Sequence, residues 1–256
     1  MNISSIIKGI LNLQKEIEVA KLPSQGLFYK SDFKIFIKKA DIEDIIEYEY
    51  QYEKENLGLV INRVKRIVKK NISTSSGYTF NDIKSVDVVF IFLEIVKFTN
   101  NKSIDINYFN DILGKNDIVK FDYDNFNYAM IDTEMMKNYD TSSKEFVIDG
   151  FRYSVPCIGI ENSITNFLIS RSDSPNAKIY NGYSYDFLYF LGHKSILTFD
   201  EIENILQIFN NDMSVDDQKK ITNIVNSFSN FGKYTLKTES RIIEITSKID
   251  LEKIWK

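Results

Sequence analysis

The chain reads as an α+β protein, mainly helical, with a small β-rich middle section and short strands towards both ends. Three observations predict this. Apolar residues recur at helical spacing over 57–70 and through much of the C-terminal third. From about 103 to 157 the chain turns instead to β-branched and aromatic residues in alternation, with Asp149-Gly150 set between two such runs. The composition, 43% hydrophobic and 27% charged, suits a chain that buries a core, not a disordered one. The 256 residues allow one large domain or two smaller ones. Four sections are expected: a helical extension (1–18), a turn, strand and helical region (19–102), a β-rich section (103–158) and a C-terminal helical region with a terminal strand (159–256).

Residues 3–17 place Ile6, Ile7, Ile10, Leu11 and Leu13 on a broad face, which predicts a short amphipathic helix in need of a partner surface. "KLPSQGLFYKSDF" follows. Pro23 cannot extend a helix, and Gly26 permits positive φ, so a rigid turn is expected. In "FKIFIKK", Phe33, Ile35 and Ile37 alternate with Lys34, Phe36 and Lys38, as in a strand. "DIED" at 41–44 carries carboxylates at N-cap spacing and predicts a helix start. Leu57, Val60, Ile61, Val64, Ile67 and Val68 form the next helical stripe. Residues 73–82 read as loop. "SVDVVFIFLEIVKFT" is apolar nearly all round, which suits a buried central helix, with a strand as the alternative.

After the β-rich section come "IENSITNFLIS" and "YSYDFLYFLGHKS", read as helices. Thr198 with Glu201, and Ser214 with Asp217, are capping boxes for two more. "YTLKTESRIIEITSKI" reads as a strand near the end.

Chemistry is sparse. One cysteine (Cys157) and one histidine (His193) allow no internal disulfide and no Cys/His zinc site, which points to a reducing compartment. The opening residues do not read as a signal peptide, and "VVFIFL" is far short of the roughly 20 residues of a membrane span. The net charge of −4 creates no pull towards nucleic acid or an anionic membrane. Asp41, Glu43, Asp44, Glu47, Glu49, Glu53 and Glu55 are dense enough for acid/base or cation chemistry, but read as a solvated acidic face. Arg63, Lys65, Arg66, Lys69 and Lys70 read as the polar face of the next helix. His193 lacks a recognisable triad around it, and Cys157 reads as a small core residue. Ser5-x-x-Lys8 matches a hydrolase pattern at chance level, and Asn71-Ile72-Ser73 is a glycosylation sequon without a secretion signal. No phosphate-binding, dinucleotide or metalloprotease motif occurs. No enzymatic activity, cofactor or metal is expected.

The succession "LPSQGLFY" then "FKIFIKKADIEDII" resembles the opening of the baseplate hub subunit family of T4-like contractile-tailed phages. "FNDIKSVDVVFIFLEIVKFTNN", "FVIDGFRYSVPCIGIENSITNFL" and the stretch from "LTFDEIENILQIF" to "DLEKIWK" resemble later segments of that family in the same order. The resemblance covers roughly residues 20–256. Residues 1–18 look like an extension to it. Some members carry cysteine pairs in the middle β section; this chain has none there, which excludes a metal-stapled ribbon. The resemblance implies a non-enzymatic structural or assembly component of the baseplate hub. Its partners would be other phage baseplate and tail proteins, or itself, with no small-molecule substrate and no membrane. It would act in the host cytoplasm during assembly or in the virion tail. The interaction residues expected on this reading are Leu22, Pro23, Gly26, Leu27, Phe28 and Tyr29 of the turn, with Ile6 and Ile10 of the first helix. A turn that bends the same residues onto its own core looks identical in sequence. The alternative function is a nucleic-acid-binding regulator using the basic helix 57–70.

Overall fold

The structure is a computed structural model that describes residues 14–44, 57–100, 104–121, 126–172, 188, 194–228, 231–232, 234–237 and 242–244. It is a mixed α+β fold of small antiparallel sheets packed among helices.

Gln14–Ile17 (β1) pairs antiparallel with Ile35–Lys38 (β2), which pairs in turn with Ile72–Thr74 (β3). The expected helix over 3–17 is thereby corrected at its C-terminal end. The helical spacing stops at Leu13, and Gln14–Ile17 instead satisfies its backbone on β2, an instance of tertiary pairing overriding local pattern. Ile17 is buried, and Lys15 Nζ reaches Glu94 at 2.8 Å. Residues 14–17 therefore belong to the core sheet, not to a separate 1–18 extension. Residues 1–13, with Ile6 and Ile10, lie outside the described residues.

Phe33, Ile35 and Ile37 of the alternating segment all point inward. At the "DIED" start, Asp41 Oδ1 accepts from the Asp44 N–H (3.0 Å) and Asp44 Oδ2 from the Asp41 N–H (3.3 Å). This reciprocal pair is the expected cap. Residues 45–56, including Glu47, Glu49, Glu53 and Glu55, lie outside the described residues. Leu57–Asn71 (α1) buries Val64, Ile67 and Val68. Val88–Asn100 (α2) is apolar all round because it is walled in, packed against α1 and β2 with Phe90, Ile91, Phe92 and Ile95 all inside. The segment expected as loop over 73–82 contains the end of β3 and a 3₁₀ turn at Phe80–Asp82, capped by Thr79.

The middle section holds the hairpin of Ile104–Asn110 (β4) and Lys115–Phe121 (β5), then Phe126–Tyr128 (β6) and a helical turn, Thr133–Met136 (α3). Tyr139–Asp140 (β7), Glu145–Ile148 (β8) and Phe151–Tyr153 (β9) complete it as a three-stranded meander. Asp149 (φ 50°) and Gly150 (φ 82°) are both left-handed, as a two-residue hairpin turn requires. Ile158–Ser172 (α4) and Phe199–Gln207 (α5) follow, then a π-helical turn at Ile208–Asp212 and Val215–Phe228 (α6). Both expected caps form. Thr198 and Glu201 close a capping box, and Ser214 Oγ accepts the Asp217 N–H at 3.1 Å.

The near-terminal strand is in fact two, Tyr234–Lys237 (β10) and Ile242–Glu244 (β11), paired antiparallel on either side of the polar sequence Thr-Glu-Ser-Arg. β10 also pairs with β6, so the last section is sewn into the middle one. Three apolar clusters cross the expected section boundaries. One lies between the β1–β3 sheet and α1 and α2; one gathers Phe28, Phe146, Tyr153, Phe209, Ile221 and Phe228; the third lies between α4 and α5. Two short stretches tie them together. Tyr153 and Val155 enter the second cluster, Cys157 and Ile160 the third, and Ile158 the first. The other stretch is the turn at 22–29.

Candidate functional site

Three overlapping hydrogen bonds build that turn: Gln25 N–H to Leu22 O (2.7 Å), Leu27 N–H to Ser24 O (3.1 Å) and Tyr29 N–H to Gly26 O (3.3 Å). Pro23 sets φ for the first bend. The second needs two left-handed residues, and Gln25 (φ 55°) and Gly26 (φ 71°) supply them. Leu22, Pro23, Phe28 and Tyr29 are buried, while Gly26 and Leu27 are half-buried. Of the residues expected to dock, Leu22, Pro23, Phe28 and Tyr29 thus lie inside this fold, while Gly26 and Leu27 keep part of their surface. The turn folds its apolar groups inward, and leaving them inside avoids exposing a greasy face to water.

Its direction of packing is divided. Leu22 and Tyr29 enter the first cluster, Leu27 and Phe28 the second. The Tyr29 ring stacks on Phe33 at 4.2 Å, while the Phe28 ring meets Phe146 at 5.8 Å and Phe231 at 5.9 Å. The Tyr139 hydroxyl donates to the Leu27 carbonyl. The turn is therefore a clamp between two cores.

A buried carboxylate anchors the clamp. Asp87 accepts from the Ser24 N–H (2.8 Å) and the Tyr29 hydroxyl (2.7 Å), and that hydroxyl accepts the Lys84 N–H (2.8 Å). Burial pushes the Asp87 carboxyl up to about 6 against these bonds, and burial together with Asp87 pushes the Tyr29 phenol well above its usual value. Sequence reasoning missed Asp87. Its "SVDVVF" setting reads as a helix start, and its partners lie 58 and 63 residues away.

Beside the clamp opens a cleft of about 460 Å³. Its floor is the single bridge that pairs Lys84 with Cys157, flanked by hydrogen bonds from Ser85 N–H to Pro156 O and Ile158 N–H to Ile83 O. Lys30, Lys84, Lys144 and Lys194 line it, with Asp82 and Glu145. Lys84 Nζ donates to Ser154 Oγ at 3.1 Å and lies 5.8 Å from the centre of the Phe28 ring. Burial pushes the Lys84 ammonium down and the Cys157 thiol up. A thiol so raised is a core group and a poor nucleophile, in keeping with its sequence reading.

A second feature is an exposed one. At the tip of the β4–β5 hairpin, Asn110 Oδ1 accepts the N–H groups of Ile112 (3.1 Å) and Leu113 (3.2 Å), and Asn110 O accepts that of Gly114 (2.8 Å). The tip is thus held by the Asn110 side chain and carbonyl, yet Ile112 is 75% exposed and Leu113 57%. Phe109 and Ile118 beside it are exposed as well. Among the described elements, β4 and β5 contact mainly each other. The alternating residues announced the hairpin, but nothing marked its tip as unpartnered.

The other residues raised by the sequence find ordinary places. Arg63 is buried, Lys65 pairs with Glu161 at 2.5 Å, and Lys70 pairs with Asp41 (2.8 Å) and Asp44 (2.9 Å). The acidic cap thus holds part of the basic cluster. Asn71 is buried, with its amide donating to Asp44 and to Ile67 O, so the sequon is closed to a glycan in this fold. His193, Ser5 and Lys8 lie outside the described residues. Among the described residues, no group of three His, Cys, Asp or Glu is placed to hold a metal, and no helix is long and apolar enough to cross a membrane.

No family model, no curated protein and no solved structure matches this chain.

Proposed function

We propose that the protein is a non-enzymatic structural or assembly component of a contractile phage tail, of the baseplate-hub kind, acting through protein–protein contacts. The observation that carries the contact reading is the ordered, solvent-facing Ile112-Leu113 tip of a hairpin packed on little but itself. A two-stranded hairpin is marginal in water, and exposed apolar side chains held in place lose little freedom on docking. The four sequence segments that resemble hub subunits, in their order, support the hub assignment. The partners are other baseplate and tail proteins met in the host cytoplasm during assembly.

The nucleic-acid reading draws less support. Of the basic residues on α1, Arg63 is buried and Lys65 and Lys70 are engaged by carboxylates. A phosphate backbone would have to displace those partners.

Sedimentation of tail-assembly intermediates made in the presence of the tagged chain tests the hub reading. The chain is expected to co-sediment with baseplate hub or wedge subunits at a fixed ratio. Migration of the chain as a free species throughout assembly, with tails forming normally in its absence, would refute it.

A further inference from the structure

The lysine cleft has a charge pattern that the clamp does not need. Its two acids are already engaged. Glu145 pairs with Arg152 at 3.1 Å, and Asp82 Oδ2 accepts the Thr79 N–H (2.7 Å) and hydroxyl (2.9 Å) while its other oxygen takes the Ser195 hydroxyl. Of the lysines, Lys194 pairs with Glu201. Lys30, Lys84 and Lys144 have no carboxylate within ion-pair distance among the described residues. Lys84 carries three N–H donors and spends one on a neutral hydroxyl, Ser154 Oγ. Desolvation of the Lys84 ammonium outweighs the attraction of the nearby Cys157, Asp87, Asp82 and Glu145, so its place on the cleft wall favours a further acceptor of opposite charge.

Lys144 adds an independent sign. It sits at φ 61°, a left-handed conformation that a non-glycine residue adopts at a cost, in the turn between β7 and β8. Asn or Gly would fill that turn without strain. The strained residue is instead a lysine, and it lines the same cleft as Lys84. Backbone strain kept at a cleft is the pattern of a binding position.

We infer that the cleft over the Lys84–Cys157 bridge is a binding site for a small phosphorylated ligand, whose phosphoryl oxygens are held by Lys84, Lys144 and Lys30. The cleft volume suits a small molecule. Three ammonium groups without a guanidinium favour a compact, multiply charged phosphoryl group over the planar, bidentate recognition of a carboxylate. This inference stands apart from the partner reading, because the cleft lies at the clamp and the hairpin tip does not line it.

The test is thermal unfolding and calorimetric titration of the full chain with pyrophosphate, at roughly physiological ionic strength so that non-specific attraction is screened. Inorganic phosphate and succinate serve as parallel probes, and Lys84→Met, Lys144→Asn and Lys30→Gln as variants. The expected result is saturable binding of pyrophosphate, weaker binding of phosphate, and succinate weaker by about tenfold or more. Lys144→Asn, which keeps the left-handed turn, is expected to weaken pyrophosphate binding by about tenfold, and Lys84→Met to abolish it. Should Lys84→Met fail to fold, Lys144→Asn and Lys30→Gln decide alone. Pyrophosphate binding that is absent, or unchanged in those two variants, overturns the site. Equal affinity for succinate overturns the phosphoryl class.

Discussion

Asp87 holds a carboxylate where water does not reach, and its carboxyl stays protonated up to about pH 6. An acid raised in this way binds its proton more tightly when folded than when unfolded. Its contribution to stability is therefore greatest below about 3.8 and declines as pH rises through about 6. Asp140 and Glu201 run the other way: hydrogen bonds from Ser142 and Ser143 hold Asp140 at about 2, and Lys194 with Thr198 holds Glu201 at about 2, so their support is lost only in stronger acid. Comparison with Asp87→Asn isolates the buried group. Between about pH 4 and 6, the wild type should lose on the order of 2–3 kcal/mol relative to the variant, read by denaturant unfolding at each pH. Parallel pH curves would show that Asp87 is not the group described. In the turn itself, Gly26→Val should cost about 1–3 kcal/mol, because φ is 71° and an added Cβ would come within 3.3 Å of Val19 Cγ1. Ser24→Ala should be nearly neutral. The bond that matters is made by the Ser24 N–H, and the Ser24 hydroxyl has no protein partner. Equal losses from the two would contradict the clamp. Gly26 and Pro23 were legible as a turn from residue type alone. Which way the turn faced was not, because that depends on Asp87, which comes into contact only when the chain has folded.

At the scale of elements, local rules succeeded where local chemistry decides. The carboxylate and hydroxyl caps at Asp41, Thr198 and Ser214 formed as spaced, and Val64, Ile67 and Val68 of the α1 stripe are buried, as are Phe90, Ile91, Phe92 and Ile95 of α2. They failed at β1 and at the β10–β11 pair, where the outcome rests on a neighbouring strand distant in sequence. The failure at β1 changes an expected outcome. Deleting residues 1–18 removes strand β1, buried Ile17 and the ammonium that neutralises Glu94, itself only 2% exposed. The truncated chain should unfold at a clearly lower temperature, since a buried carboxylate stripped of its partner is expensive. Lys15→Met should reproduce part of that loss while leaving the strand in place. An unchanged melting temperature in both would show that the N-terminal strand is not part of the core sheet.

Among the described residues, three cores are tied by the 22–29 clamp and the 153–160 strand-to-helix passage, and the β4–β5 tip carries neighbouring apolar side chains, Ile112 and Leu113, that stay exposed. The resemblance to hub subunits implies the opening turn as a surface of contact. The contact proposed above lies on a hairpin whose strands were legible in the alternation of 104–121 but whose exposure was not, because exposure depends on what else packs against it. Core and contact then make opposite demands on a carboxylate. Phe28→Asp, buried among Phe146, Tyr139 and Phe231, should unfold the protein outright. The most direct measurement is thermal unfolding and tail assembly followed on one sample of the Ile112→Asp, Leu113→Asp double variant. The melting temperature should stay within a few degrees of wild type, as surface changes give, while incorporation into tail assemblies is lost. Normal incorporation of the folded variant would contradict the contact reading.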